Sequence, residues 1–298
     1  MNKNQSAHRP DVHTFFDLAT HTASHVVIDP STKKCAVIDS VMDYEPHGAK
    51  ISFDSADGII AFIRERGLSL EWVLETHAHA DHLSAAPYIQ RELGGKIGIG
   101  REIITVQNVF GKIFNEGTEF QRDGSQFDRL FNDGDVFSIG TLPVRVIHTP
   151  GHTPADVTYV VGDAAFVGDT VFMQDYGTAR CDFPGGSPED MYRSIQKLFT
   201  LPDETRVFVG HDYLPAGREE YKWETTIGEE KKHNVQVREG VSADEFAQKR
   251  NARDATLGMP RLIIPSLQVN IRAGNMPESE ENGTTYLKVP INKFEKGA

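Results

Sequence analysis

The chain has 298 residues, 39% of them hydrophobic and 25% charged, with a net charge of −12. That is enough apolar material for one large core, and the balance is too acidic for a nucleic-acid-binding surface, which is normally basic. Two cysteines, Cys35 and Cys181, form no C-x-x-C pair and point to a reducing compartment. No apolar run approaches the length of a membrane span and residues 1–11 lack an apolar signal core, so a disordered leader and a cytoplasmic protein are expected.

From His13 onward, residues 14–18, 24–28 and 34–39 read as short strands of an antiparallel meander, the last two joined by Asp29-Pro30-Ser31-Thr32-Lys33. Cys35 sits in an apolar run and is expected as a buried thiol. Residues 54–66 place Ile59, Ile60, Phe62 and Ile63 ahead of Gly67, the pattern of a helix with a glycine stop. A strand over 71–76 runs into His77-Ala78-His79-Ala80-Asp81-His82, followed by a helix with Ala86, Ile89 and Leu93 on one face, Pro87 in its first turn and Gly94-Gly95 at its end.

Residues 103–114 suit a helix, whereas 121–126 and 132–135 are turn-rich and are expected to border the cavity. Strand signals return at 144–147, 157–161 and 164–167. Residues 187–199 form an amphipathic helix pattern with Met191, Ile195 and Leu198 together, and 206–209 lead to His211. Ser242-Ala243-Asp244-Glu245 is a capping-box signature for a helix to about Asp254, and Asn282-Gly283 is a turn signal ahead of residues 285–289.

The run from His77 to His82 is the chemical centre. Imidazoles and a carboxylate at this density are ligands for zinc, iron or manganese, and alternate residues leaving a strand can point the same way. Three later segments each follow an apolar run and end on a ligand type: Thr149-Pro150-Gly151-His152, Val167-Gly168-Asp169 and Val209-Gly210-His211. In number and order these seven residues resemble the metallo-β-lactamase superfamily over about residues 12–213. The resemblance implies an α+β fold, a four-layer α/β/β/α sandwich carrying the site on strand-end loops at one edge. Residues 214–298 are then a C-terminal extension packed on the main domain 12–213, shaping the substrate entrance or a subunit contact.

Fold alone leaves the reaction open. The segment Gly177-Thr178-Ala179-Arg180-Cys181-Asp182-Phe183 and the tail around 222–234, 253–257 and 264–270 are similar to the persulfide dioxygenase branch related to glyoxalase II. That likeness implies one Fe(II) per chain held by His77, His152 and Asp169, with glutathione persulfide and O₂ as substrates. His79, Asp81, His82 and His211 would orient ligands and water. The same four residues could complete a two-metal site, zinc included, for a glyoxalase II-type thioester hydrolase acting on S-lactoylglutathione. Arg180 and Tyr213 are candidates for holding glutathione, against the alternatives of an Arg180–Asp182 salt bridge and a packed tyrosine. His148 is a candidate for the shell around the ligands. Arg253 and Arg272 are read as solvated or interface charges, Cys181 as an inert thiol, and the assembly as a homo-oligomer, a dimer by resemblance.

Overall fold

The computed structural model describes residues 9–294. In chain order the first half comprises β1 (Asp11–Asp17), β2 (Thr22–Ile28), β3 (Lys34–Ile38), β4 (Val41–Glu45), β5 (Lys50–Ser52), α1 (Asp54–Glu65), β6 (Ser69–Leu74), β7 (Leu83–Ser84), α2 (Ala86–Leu93), β8 (Lys96–Gly100), α3 (Ile103–Ile113) and β9 (Arg129–Phe131). The second half comprises β10 (Val136–Ile139), β11 (Leu142–His148), β12 (Val157–Val161), β13 (Ala164–Phe166), α4 (Pro188–Leu198), β14 (Arg206–Phe208), β15 (Glu224–Thr226), α5 (Ile227–His233), α6 (Ala243–Asp254) and α7 (Ile263–Asn270).

Two six-stranded sheets, ordered β1-β2-β3-β6-β8-β9 and β10-β11-β12-β13-β14-β15, stack face to face, and β5-β4-β7 form a small third sheet. The expected meander is β1-β2-β3, antiparallel throughout, after which β6, β8 and β9 join in parallel. Residues of β3 alternate between two cores: Ala36 and Ile38 face the other sheet, while Cys35 and Val37 face the helices. Both faces are covered, so the strand reads as an unbroken apolar run. In β11, Leu142, Val144 and Val146 fill the space between the sheets while Pro143 and Arg145 point to solvent, giving strict alternation.

Helices α1, α2, α3 and α7 cover the first sheet and α4 and α6 the second, which completes the α/β/β/α layering expected from the sequence. Ser187 and Ser242 cap α4 and α6 by accepting the backbone N–H three residues on. Among the described residues no helix is long and apolar enough to cross a membrane.

Three expectations change. The leader over 1–11 lies mostly outside the described residues, yet Arg9 pairs with Asp163, the Pro10 carbonyl accepts from Arg206, and β1 already starts at Asp11. The segment beyond residue 213 is woven in as well as packed on, because β15 pairs antiparallel with β14 and extends the second sheet. The Asn282-Gly283 turn forms, with Gly283 at φ +76°, but residues 285–289 make no ladder; the Gln268 side chain instead bonds both backbone groups of Lys288.

Candidate metal centre

Leu74 ends β6 next to β3, and the chain from Glu75 to His82 then crosses the sheet edge as a buried, irregular loop. A buried loop has no ladder to satisfy its polar groups, so side chains must do it. Asp39, just after β3, accepts from Thr76 N at 2.7 Å and Thr76 Oγ1 at 2.8 Å, pinning the start of the loop. His79 Nε2–H is shared between Asp39 Oδ1 at 3.1 Å and Glu75 Oε2 at 3.0 Å.

The loops carrying the other ligand types come from the second sheet. His152 follows β11, with Nδ1–H donating to the Arg180 carbonyl at 2.8 Å. Asp169 follows β13. His211 follows β14, with Nδ1–H donating to the His21 carbonyl at 3.1 Å, and the neighbouring bond from Ala23 N to Gly210 O joins the two sheets. Each imidazole thus has one nitrogen fixed by a donor bond and the other turned inward, the arrangement that sets tautomer and direction in metal-binding histidines.

All seven expected residues converge, in two sets. Ligand atoms of His77, His152 and Asp169 lie within 4.8 Å of one another, as do those of His79, Asp81, His82 and His211. Asp169 joins the sets: Oδ2 is 3.7 Å from His152 Nε2 and 4.0 Å from His77 Nε2, while Oδ1 is 3.4 Å from His211 Nε2. Metal–ligand arms of about 2.1 Å put neighbouring donor atoms roughly 3–4 Å apart, so these spacings suit a shared ion better than direct bonds. The fit is tested by the buried atoms without a hydrogen-bond partner: His77 Nε2, His79 Nδ1, His82 Nε2 and Asp169 Oδ1 all belong to this cluster. Burial costs an unpaired polar atom free energy unless an ion satisfies it. The residues therefore fit a metal, with either set able to hold one.

Electrostatics support the same reading at His77 and Asp81. Burial and the neighbouring His79 and His152 hold the His77 imidazole well below its usual pKa, leaving a neutral lone pair. Burial opposes ionisation of Asp81, but His211 and His82 hold it well below the usual carboxylate range. His79 is pushed well above the usual imidazole range, against the effect of burial, by Asp39 and Glu75.

Beside the ligands is a cavity of about 540 Å³, walled by Asp81, His152, Asp169, Phe172, Tyr176 and Phe183. Tyr213 lines it and stacks on His211 at 5.6 Å. Tyr213 is 36% exposed, but the protein packed around its ring, together with Asp81 and Asp169, pushes its phenol above the usual range, so the hydroxyl keeps its proton. Arg180 also lines the cavity, with its guanidinium committed to Asp182 at 2.6 and 2.8 Å and to the Gly258 carbonyl at 2.6 Å. The salt-bridge alternative is thus what forms. The exposed Arg253 and Arg261, both from the extension, stand at the rim with no ion pair found among the described residues.

Other candidates fall elsewhere. His148 donates to the Pro154 carbonyl at 2.8 Å and steadies the His152 loop from outside the ligand sets. Arg272 pairs with Glu116 at 2.7 Å in a different pocket, and the turns at 121–126 and 132–135 do not reach the metal cavity. Cys181 is buried beside the site, its thiol pushed well up by burial and by Asp254; burial and Glu71 push Cys35 up to about 12. Asp39 and Glu75 were missed at the sequence level. An acid directly after each of two strands leading to the ligand loop was the available signal.

The fold and ligand order define a metallo-hydrolase-type α/β/β/α protein, and the metallo-beta-lactamase superfamily model matches residues 20–211: the chain belongs to that superfamily. It is 53% identical over 291 residues to a probable metallo-hydrolase of Burkholderia pseudomallei, covering 94% of this chain and 99% of that one. Glyoxylase B2 of Dictyostelium discoideum is 47% identical, covering 96% and 98%. Human mitochondrial persulfide dioxygenase ETHE1 is 27% identical over 262 residues, 87% of each chain. The crystal structure of ETHE1 from Myxococcus xanthus superposes with a TM-score of 0.71 at 28% identity, covering 89% of this chain and all of that one.

Proposed function

We propose that this protein is an iron-dependent dioxygenase that converts glutathione persulfide, O₂ and water to glutathione, sulfite and two protons. The observation that carries the reading is the compact set His77, His152 and Asp169, two of whose members form the cavity wall. Two imidazoles and one carboxylate on one side of an ion leave positions open for a sulfur ligand and O₂. The alignment with a persulfide dioxygenase along 87% of each chain supports it. Bound Fe(II) would supply the coordination of the persulfide sulfur and the activation of O₂.

The chain's own residues supply the setting. The Arg180 carbonyl holds the His152 ring in place, and the His21 carbonyl does the same for His211. Phe172, Tyr176 and Phe183 keep the reacting sulfur from bulk water. Arg253 and Arg261 attract the glutathione carboxylates at the rim, and the protonated Tyr213 hydroxyl offers a donor between rim and ligands.

A second reading rests on the other ligand set. His79, Asp81, His82 and His211, with Asp169 shared, suit a dinuclear thioester hydrolase. The deciding experiment loads the protein with Fe(II) and follows O₂ on adding glutathione persulfide. Rapid uptake with matching sulfite is expected. An unchanged trace from protein verified to hold iron, with S-lactoylglutathione hydrolysed instead, would transfer the assignment to the hydrolase.

A further inference from the structure

The ligand loop is held from behind by a residue that comes nearly 190 positions later. Asn270, the last residue of α7, is buried, and its side-chain Nδ2 donates to the His79 carbonyl and the His82 carbonyl at 2.8 Å each. Its Oδ1 accepts from Ser84 N, also at 2.8 Å. The orientation of the amide is fixed by these partners, since an N–H can meet only the oxygen and two carbonyls only the nitrogen. One side chain therefore closes three backbone bonds across the segment that contains Asp81.

The helix bearing it is firmly seated. Ile263, Leu267, Val269 and Ile271 belong to the core beneath α2 and α3, and the Ile271 carbonyl accepts from Gln107 at 2.9 Å. Gly274, at φ +86°, lets the next turn press on the end of the loop: a Cβ there would stand 2.7 Å from the Ser84 carbonyl and 2.6 Å from Pro87 Cδ. At the other side of the loop, Glu75 accepts from Ser84 Oγ at 2.5 Å while also holding His79.

We propose that Asn270 is a positioning residue of the metal centre: through the backbone of His79 and His82 it sets where Asp81 and the inward nitrogens of both histidines point. The clamp acts on the loop in either reading of the site: with one ion it sets the groups that orient ligands and water around His77, His152 and Asp169, and with two it sets ligands of the second ion. Groups that orient ligands without touching the metal commonly change metal affinity by about 10–100-fold.

The test uses full-length apoprotein titrated with Co(II) against a competing chelator, reading affinity and the visible absorption bands that report coordination geometry. Asn270→Ala is expected to keep its far-UV circular dichroism, lose about 10-fold or more in Co(II) affinity and shift the bands. Asn270→Asp has nearly the same shape and keeps the acceptor for Ser84 N, so it serves if the alanine variant does not fold; the same loss is expected. Gln268→Ala removes another buried α7 side chain, one that bonds Lys288 and not the loop. It should leave Co(II) binding as in the parent. Wild-type affinity and spectrum in both Asn270 variants would overturn the proposal, and so would an equal loss in Gln268→Ala.

Discussion

Asp169 turns one carboxylate oxygen toward His77 and His152 and the other toward His211, so both ligand sets depend on it. Asp169→Ala should lower metal affinity by more than about 100-fold and abolish turnover with it. His79→Ala removes a side chain bonded to Asp39 and Glu75 and should retain most of its iron, measured by metal analysis after desalting. Stoichiometric iron in the first variant, or none in the second, would contradict the mononuclear assignment. Glu230 gives a separate prediction: it is fully buried, Oε1 has no partner, and desolvation pushes its carboxyl up to about 8. The ordinary value is 4.5, so between about pH 4.5 and 8 the folded chain holds a proton that the unfolded chain has released. Stability from this group is therefore lost as pH rises through that window. Glu230→Gln should raise the melting midpoint by roughly 5 °C at pH 8 and change it little at pH 4.5. At this scale the ligand residues were legible because strand-end histidines and acids cluster in sequence. Asn270 was not, since one asparagine in a tail carries no mark of the carbonyls it will meet.

β8 passes close to the start of β12 in the second sheet at Gly100. A Cβ at Gly100 would lie 2.5 Å from the Ala155 carbonyl and 2.8 Å from Val157, and one at Gly98 would lie 2.6 Å from the Phe131 ring. The obstacle at Gly100 is backbone, which cannot rotate away. Gly100→Ala should cost about 1–3 kcal/mol in urea denaturation, and an unchanged midpoint would mean that the sheets separate without penalty. Long elements with a clear period, such as α1 and α4, were readable from their apolar spacing, and α6 from the capping box that begins at Ser242. The three-residue strand Glu224–Thr226 was not: it is a short sheet edge whose pairing with β14 is decided by the partner rather than by its own apolar pattern.

Over the whole molecule, the segment after residue 213 contributes to both outer layers, through α6 on one side and α7 on the other, and adds a strand to the second sheet. The layering was legible only through the resemblance of the ligand motifs, since periodicity by itself gives mixed helix and strand. How the tail distributes itself depends on contacts between residues far apart in the chain. The protein carries a charge of −12, yet the tail sets Arg253 and Arg261 at the cavity mouth. A local cationic rim on an acidic body favours capture of anionic substrates, and the effect weakens as salt screens it.

The two thiols extend that view from charge to reactivity. Cys35 lies in the layer between the first sheet and its helices, Cys181 in the one beneath α4 and α6, and each is buried and reluctant to ionise. Since the thiolate is the attacking form, native protein in iodoacetamide at pH 7.5 should remain unlabelled for hours, while the denatured chain takes two adducts by mass spectrometry. Labelling of one thiol ahead of the other would show the two halves opening separately; simultaneous labelling would show that they open as one unit. The chain thus holds one chemical clock in each half, and neither thiol lines the cavity beside the ligands.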